Sequence, residues 1–291
     1  MPHRTLRTLT VYCLLLSPSA SFSDTLSDSP TAKEKYAATS SEPLPQPTPA
    51  SQGEPAQASQ VDPVQAPQGE LVPFRVSYKT EWKVGWFSID IDAYRELKRV
   101  GGNRWQVTFE AETSAAKLRE SSLFQVTPKQ RLQPINYQYR ATGLFNEDDR
   151  TLEFDTANNS IRDAEADKIY PDAWQQEIHD NLTYMLQAGI DLAAGDKTFS
   201  YPVFEKNKRK LFRFQVVGEE MLNTRAGRLN TIKVQQIRNK KDREIFAWFA
   251  KDYHYLLVRL QDKKKGKKRY EINVNDIRMS SSSGSSTADA L

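Results

Sequence analysis

The fold of this chain is set by a run in which apolar and polar side chains alternate, Phe74-Arg75-Val76-Ser77-Tyr78-Lys79-Thr80-Glu81-Trp82. Because successive side chains of a β-strand point to opposite faces of a sheet, this alternation predicts a strand with one buried face. A second alternating run, Phe87 to Tyr94, follows the segment Lys83-Val84-Gly85. The short turn between the two runs predicts an antiparallel hairpin.

The same period-two pattern continues along most of the chain. A third run alternates from Trp105 to Ala111, after the turn Gly101-Gly102-Asn103. Further alternating runs lie at Ser122 to Val126, Ile135 to Tyr139, Leu152 to Phe154, Phe212 to Val216, Ile232 to Val234, Ile245 to Phe249, Leu256 to Leu260 and Tyr270 to Val274. About a dozen strands in meander order predict a mainly β fold. We expect a strongly curved or closed antiparallel sheet, of the half-barrel or β-sandwich-like kind.

One helix is predicted between the strands. Asp172 is a candidate N-cap after Pro171, and Gln175 stands where a capping box needs it. The apolar side chains that fall on one helical face are those of Trp174, Ile178, Leu182, Met185 and Leu186. Gly189 is typical of a helix end. The pattern therefore predicts one mid-chain helix near residues 173–188, covering one opening of the curved sheet.

The N-terminal residues 1–23 are predicted to be a secretory signal peptide. Arg4 and Arg7 form a basic start, and the apolar run at 11–16 is too short to span a bilayer. Cys13 lies inside this run rather than directly after it, so lipid attachment is not expected. A cleaved leader predicts a periplasmic protein whose mature chain has no cysteine, which excludes thiol catalysis. No transmembrane segment is expected in the mature chain, because no other stretch reaches about 18 apolar residues.

The rest of the chain divides into a linker, a domain and a tail. Residues 24–72 are rich in Pro, Ser, Gln and Ala, with few large apolar side chains to offset the entropy of ordering. They are predicted to form a disordered linker, which is either a spacer within the envelope or a tether without a partner. Residues 73–278 are predicted to form one β-rich domain. Residues 279–291, which begin with a serine run, are predicted to be a disordered tail.

An ordered set of short motifs carries a family resemblance. It comprises Asp180-Asn181-Leu182-Thr183-Tyr184-Met185-Leu186, then Gly195, Val216-Val217-Gly218-Glu219-Glu220, Ala226-Gly227, Ala247-Trp248-Phe249 and Val258-Arg259. This order resembles the exported domain of unknown function 3108 family of Gram-negative bacteria, over most of residues 73–278. The resemblance implies a sheet-rich envelope protein with no established reaction, similar in shape to lipoprotein and lipid carriers. Asp180 and Glu219 are the polar residues that it singles out.

The sequence contains no recognisable catalytic or metal-binding motif. It has no Gly-x-Ser-x-Gly elbow, no phosphate-binding glycine loop and no His-Glu-x-x-His. His179 and His254 are far apart, and neither has a second ligand at metal-site spacing. We therefore predict no catalytic residue, no metal and no cofactor. A hydrolase of envelope polymers is the least favoured alternative.

Large aromatic side chains are spread over many of the predicted strands. On the concave face of a curved sheet they would either form a packed core or line a cavity for an acyl chain or other amphiphile. The candidate ligand-binding residues are Trp82, Trp105, Phe109, Tyr137, Tyr139, Phe212, Phe214 and Trp248. Trp86 and Trp248 are out of phase with the apolar runs beside them. We therefore expect these two at a rim or on the far face of the sheet.

One cluster of positive charge lies between two predicted strands. This lysine hairpin comprises Lys263, Lys264, Lys265, Lys267, Lys268 and Arg269. A protruding tip of this charge would contact anionic headgroups, lipopolysaccharide phosphates or cell-wall polymers, or it would be a solvated turn that resists aggregation. Nucleic acid is not an expected partner, because the compartment is wrong and no aromatic side chains are interleaved with the lysines.

Two functions of different class follow from these patterns. The first is a non-enzymatic periplasmic protein that binds an apolar or amphiphilic, lipid-like ligand in a curved β-sheet. The alternative is a structural or protein-interaction module with a filled core, which contacts an envelope protein or an anionic envelope surface. A large apolar cavity would favour the first, and a filled interior would favour the second.

Overall fold

The computed structural model describes residues 70–84, 87–143, 148–239 and 242–280. These residues form a mainly β fold with one α-helix, as predicted. The strands are β1 (Phe74–Val84), β2 (Phe87–Gly101), β3 (Arg104–Thr113), β4 (Ala116–Val126), β5 (Leu132–Gly143), β6 (Arg150–Asp155), β7 (Ser160–Asp163), β8 (Lys168–Ile169), β9 (Thr198–Glu205), β10 (Lys208–Thr224), β11 (Gly227–Ile237), β12 (Arg243–Ala250), β13 (Leu256–Lys264) and β14 (Lys267–Met279). The helix α1 (Thr183–Ala193) lies between β8 and β9. The predicted signal peptide, most of the linker and the tail after 280 lie outside the described residues.

All fourteen strands belong to one antiparallel sheet. Its order is β8-β7-β6-β5-β4-β3-β2-β1-β14-β13-β12-β11-β10-β9, so neighbours in sequence are neighbours in the sheet. The exception is the consecutive pair β8 and β9, and β1 pairs with β14 as well as with β2, which places both ends of the domain in the middle of the sheet. Strands β8 and β9 form the two edges and do not pair with each other. The sheet is therefore curved and open rather than closed into a barrel.

The alternation that predicted the strands also sets which face is buried. On β1, Phe74, Val76 and Tyr78 are buried, while Arg75 and Lys79 are exposed. The predicted hairpin of β1 and β2 is confirmed by their antiparallel pairing. Its turn at 85–86 lies outside the described residues. Burial of one apolar face along each strand fixes the register, because a slip by one residue would turn that face to water.

The predicted mid-chain helix is present, but α1 begins later than the sequence pattern indicates. Residues Pro171–Ala173 form only a short 3-10 turn. His179 instead pairs with the edge strand β9: its N–H donates to the Pro202 carbonyl over 2.8 Å, and its carbonyl accepts from the Phe204 N–H over 2.8 Å. These bonds use the backbone groups that a helix at this point would need.

Curvature places α1 inside the sheet. The helix packs against β5, β9 and β13, and every residue from Thr183 to Leu192 is buried. The segment before α1 spans the gap between the two sheet edges. Within it, the Tyr170 ring lies 5.2 Å from that of Phe204, and Arg209 donates to the Trp174 carbonyl over 2.7 Å. The half-barrel therefore surrounds a single central helix.

Gly189 lies within α1 rather than at its end, and the β12–β13 connection passes close to it. A Cβ atom at this position would lie 2.9 Å from the Tyr255 carbonyl oxygen. This contact is with backbone, which cannot turn aside as a flexible side chain would. Glycine is therefore required here for packing.

We predict that Gly189→Ala destabilises the protein by about 1–3 kcal/mol, the usual range for overpacking a close contact. At a helix position without this contact, the same change would stabilise by about 1 kcal/mol. Urea unfolding of the purified wild-type and variant chains gives the sign directly. A gain in the free energy of unfolding would show that α1 is not held against the β12–β13 connection.

Candidate functional site inside the curved sheet

The predicted aromatic residues are brought together from both halves of the sheet. Those on β3, β5 and β10 are buried in one apolar cluster: Trp105, Phe109, Tyr137, Tyr139, Phe212 and Phe214. The side chain of Trp82 lies outside the described residues. A concave aromatic face therefore exists, as the alternation predicted.

This aromatic face is occupied by α1. The Tyr184 ring lies edge-on to Phe212, at 5.3 Å between centroids, and stacks with Phe214 at 6.2 Å. Two small clefts lined by described residues lie beside the helix, with volumes of about 30 Å³ and about 10 Å³. Since a cavity of about 10–15 Å³ holds one water molecule, neither has room for an acyl chain. The site is therefore full while α1 is in place.

Asp180 fixes the start of α1 to the sheet. Its Oδ1 accepts hydrogen bonds from the backbone N–H groups of Leu182 (2.8 Å) and Thr183 (2.9 Å). Its Oδ2 accepts from the Ser122 hydroxyl of β4 over 2.5 Å. The carboxyl is fully buried, and this burial raises its pKa, while the hydrogen bonds lower it. Asp180 thus works as a helix cap that is also tied to a strand.

A second polar cluster fixes the other half of the helix. Gln187 accepts from the Leu132 N–H (2.9 Å) and donates to Asp191 Oδ1 (2.9 Å). Asp191 also accepts from Arg131 (2.8 Å) and from the Tyr201 hydroxyl (2.6 Å). Burial, followed by the nearby Asp191 charge, raises the pKa of Tyr201. Both ends of α1 are thus held by hydrogen bonds as well as by apolar packing.

Arg95 of β2 is the buried residue that sequence reasoning did not single out. It is 2% exposed, donates Nη2 to the Leu182 carbonyl over 3.1 Å, and interacts with the Tyr78 hydroxyl. Burial lowers the pKa of its guanidinium and raises the pKa of Tyr78 to about 12. Its position in the alternating pattern could have identified it, because Arg95 continues the inward-facing series of Ile91 and Ala93.

Trp248 and Glu219 lie away from the concave face. A bulge between β12 and β13 shifts the register after Trp248, whose ring lies on the outer face beneath Lys233 (4.9 Å) and Arg259 (5.5 Å). Trp248 is nevertheless buried, and its indole N–H donates to a Glu220 carboxylate oxygen over 2.9 Å. Glu219 is exposed and pairs with Lys251. Trp248 therefore does not line the interior, and Glu219 does not meet Asp180.

The structure places the lysine hairpin at the tip of β13 and β14. Its turn is Lys265-Gly266, and the side chains of Lys264, Lys265 and Lys267 are exposed. At the base of the hairpin, the Arg269 guanidinium lies 3.1 Å from the buried Asp262 carboxylate. Asp262 also pairs with Arg243 over 2.6 Å. The tip is thus an exposed basic surface, and below it the buried Asp262 carboxylate pairs with two arginines.

In the described ranges, no helix is long and apolar enough to cross a bilayer. No group of three or more metal-ligating side chains is found among the residues whose side chains are described.

The chain belongs to the family described as protein of unknown function DUF3108, whose profile matches residues 73–273. The resemblance seen in the order of the sequence motifs is thereby confirmed. No curated protein matches the chain.

Several crystal structures are similar to this chain. A domain provisionally described as an outer membrane lipoprotein-sorting protein, from Vibrio parahaemolyticus, is 11% identical, with 74% of this chain and 88% of that one covered and a TM-score of 0.24. A provisionally assigned lipoprotein from Parabacteroides distasonis is 12% identical, with coverages of 73% and 97% and a TM-score of 0.28. A provisionally assigned exported protein with a YmcC-like fold, from Bacteroides fragilis, is 10% identical, with coverages of 70% and 95% and a TM-score of 0.28.

His179 gives a pH prediction for the segment that precedes α1. Burial, and then the nearby Arg131 charge, lowers its pKa from 6.5 to about 3, so the folded chain holds it neutral. Below about pH 6.5 the unfolded chain binds a proton that the folded chain does not bind until about pH 3. Stability contributed by neutral His179 is therefore lost as the pH falls through this window, by up to about 1.4 kcal/mol per pH unit.

The measurement is the free energy of unfolding in urea between pH 7 and pH 4. We expect a shallower loss of stability in His179→Gln than in the wild type. His254→Gln, at an exposed position, is the matched control that removes the other histidine of the described domain. Equal slopes for His179→Gln and the wild type would show that His179 does not couple folding to pH.

Proposed function

We propose that this chain is a non-enzymatic, exported envelope protein that binds an apolar or amphiphilic, lipid-like ligand inside its curved sheet, with α1 as a movable plug. The observation that carries the proposal is that one 11-residue helix occupies an aromatic concave face built by both halves of the sheet. The leader-like N-terminus supports export and a periplasmic location. No step of the proposal requires a metal or a cofactor.

The energies of the plug and of a ligand are of similar size. Leaving the concave face would expose the apolar side chains of α1, chiefly Tyr184, Met185, Leu186, Ile190 and Leu192. At about 1.5–3 kcal/mol each, their burial contributes on the order of 10 kcal/mol. Burial of a 16-carbon acyl chain contributes about 0.8 kcal/mol per methylene, or about 12 kcal/mol in total. An acyl chain is thus large enough to replace the helix on this face.

The lysine hairpin supports a place of action near an anionic envelope surface. Lys264, Lys265 and Lys267 project from the end of a rigid two-stranded hairpin. Each contributes about 1 kcal/mol next to an anionic membrane, and salt screens this attraction. The hairpin would bring the carrier to an anionic surface, where the carrier would take up or release its ligand.

A second function is favoured by a different observation. The small volumes of the clefts beside α1, about 30 Å³ and about 10 Å³, support a filled core of the kind expected in a structural or protein-interaction module. In that case α1 is a permanent part of the core, and the lysine hairpin is the contact surface for an envelope partner.

Native mass spectrometry separates these two functions. The full chain is exported by its own leader, purified from the periplasm without detergent, and weighed before and after solvent extraction. We expect a stoichiometric lipid adduct on the wild type. Phe214→Asn places a polar group on the concave face and should lose the adduct. Leu211→Asn, on the exposed face of the same strand, is the matched control and should retain it.

A clean ligand-free mass of the wild type, with no uptake of added lipid, would contradict the carrier and favour the interaction module. Circular dichroism of each variant separates loss of ligand from loss of fold. The wild-type mass decides between the two functions even where Phe214→Asn does not fold.

A further inference from the structure

Arg95 is a buried cation that the fold leaves incompletely paired. Its Nε has no hydrogen-bond partner among the described residues, although it is shielded from solvent. Removing a guanidinium from water costs several kcal/mol unless an anion and further hydrogen bonds compensate. Arg95 forms hydrogen bonds with the neutral Leu182 carbonyl and the Tyr78 hydroxyl, and the Tyr184 hydroxyl also influences its charge. These neutral oxygens provide less compensation than a carboxylate would.

The surrounding carboxylates do not fill this role. No ion pair of the described residues includes Arg95. Asp180 influences its charge from a distance, but the oxygens of Asp180 already accept from Ser122, Leu182 and Thr183. Burial also raises the pKa of Asp180, which disfavours its charged form. The guanidinium therefore retains capacity for an anion that the described part of the chain does not supply.

Arg95 also lies where a ligand would reach it. It lines both clefts beside α1, and the larger one lies between α1, the segment before β1 and the β12–β13 connection. Most side chains of this cleft are apolar: Leu71, Val72, Phe74, Leu97, Met185, Leu186, Ile190, Leu256 and Leu257. Glu70 and His254 are exposed members of the same lining. The cleft is thus an apolar passage with a cation along its wall.

The backbone at this cleft is strained. His254 and Tyr255 both have left-handed conformations, with φ of 50° and 54°. Such conformations of residues other than glycine cost on the order of 1 kcal/mol each and cluster at ligand sites and switch regions. Tyr255 also contacts Gly189 of α1. Movement of the helix out of the cleft would release this contact.

We propose that Arg95 binds the headgroup of an amphiphile that is a long-chain monocarboxylate, a fatty acid in chemical class. The proposal rests on the function proposed above and names its ligand. A planar carboxylate matches the guanidinium with two parallel hydrogen bonds, one of which would use Nε. A doubly charged phosphate would bring a second charge, and the cleft lining has no second buried cation to meet it. The acyl chain would occupy the apolar passage and the face that α1 vacates.

The test compares two ligands with the same acyl chain bound to the full mature chain: oleate, which has a charged carboxylate, and methyl oleate, in which a methyl ester removes the charge. We expect the wild type to bind oleate about ten- to a hundredfold more tightly than methyl oleate, the usual range for a charged hydrogen bond. Arg95→Met keeps the length of the side chain without its charge and should lose this preference. Arg104→Met removes an exposed arginine of β3 as the matched control and should retain it.

Each outcome decides a separate point. Equal binding of oleate and methyl oleate by the wild type would overturn the carboxylate site, while the carrier function would stand. No uptake of either ligand would overturn both. A preference that survives in folded Arg95→Met would overturn the role of Arg95. Where Arg95→Met does not fold, Arg95→Lys retains the charge without the planar fork, and a preference unchanged in that variant would also overturn the bidentate contact.

Discussion

The buried carboxyl of Asp180 is the interaction on which the interior depends. The first N–H groups of a helix have no partner within it, and Asp180 accepts from the N–H of Thr183 and from that of Leu182 directly before it. Ser122 fixes the same carboxyl to β4, and Arg95 holds the carbonyl of Leu182 from β2. These few bonds decide where α1 begins. They also hold α1 in the concave face and leave one edge of the Arg95 guanidinium unpaired among the described residues.

Most of the strands could be predicted because their signal is local. Alternation along β1 or β3 is complete within one strand, and a buried apolar face fixes both register and orientation. The start of α1 could not be predicted in this way. The helical pattern at 174–182 competes with the pairing of His179 to β9, which is distant in sequence. Gly189 was interpreted as the end of the helix, but glycine is needed there because the Tyr255 backbone approaches α1 closely.

The candidate site was predictable to the extent that its residues follow the strand period. Phe109 and Phe214 lie on the concave face for that reason. Trp248 lies on the outer face for the same reason, because it is out of phase with the inward-facing Ile245, Ala247 and Phe249. Arg95 was missed, because a charged residue in an alternating run is normally an outward one. No local pattern indicates that α1 occupies the aromatic face, because this contact joins segments that are distant in sequence.

In the proposed carrier, α1 is a separable unit inside a stable sheet, held at both ends by polar contacts and replaceable by an acyl chain. Native-state hydrogen exchange tests this claim most directly, because it reports the opening free energy of each segment. We expect the α1 amides to exchange through a local opening of lower free energy than that of β1, β2 and β14. Added oleate should increase exchange in α1. Exchange of the α1 amides only through global unfolding, with or without oleate, would contradict the separable helix.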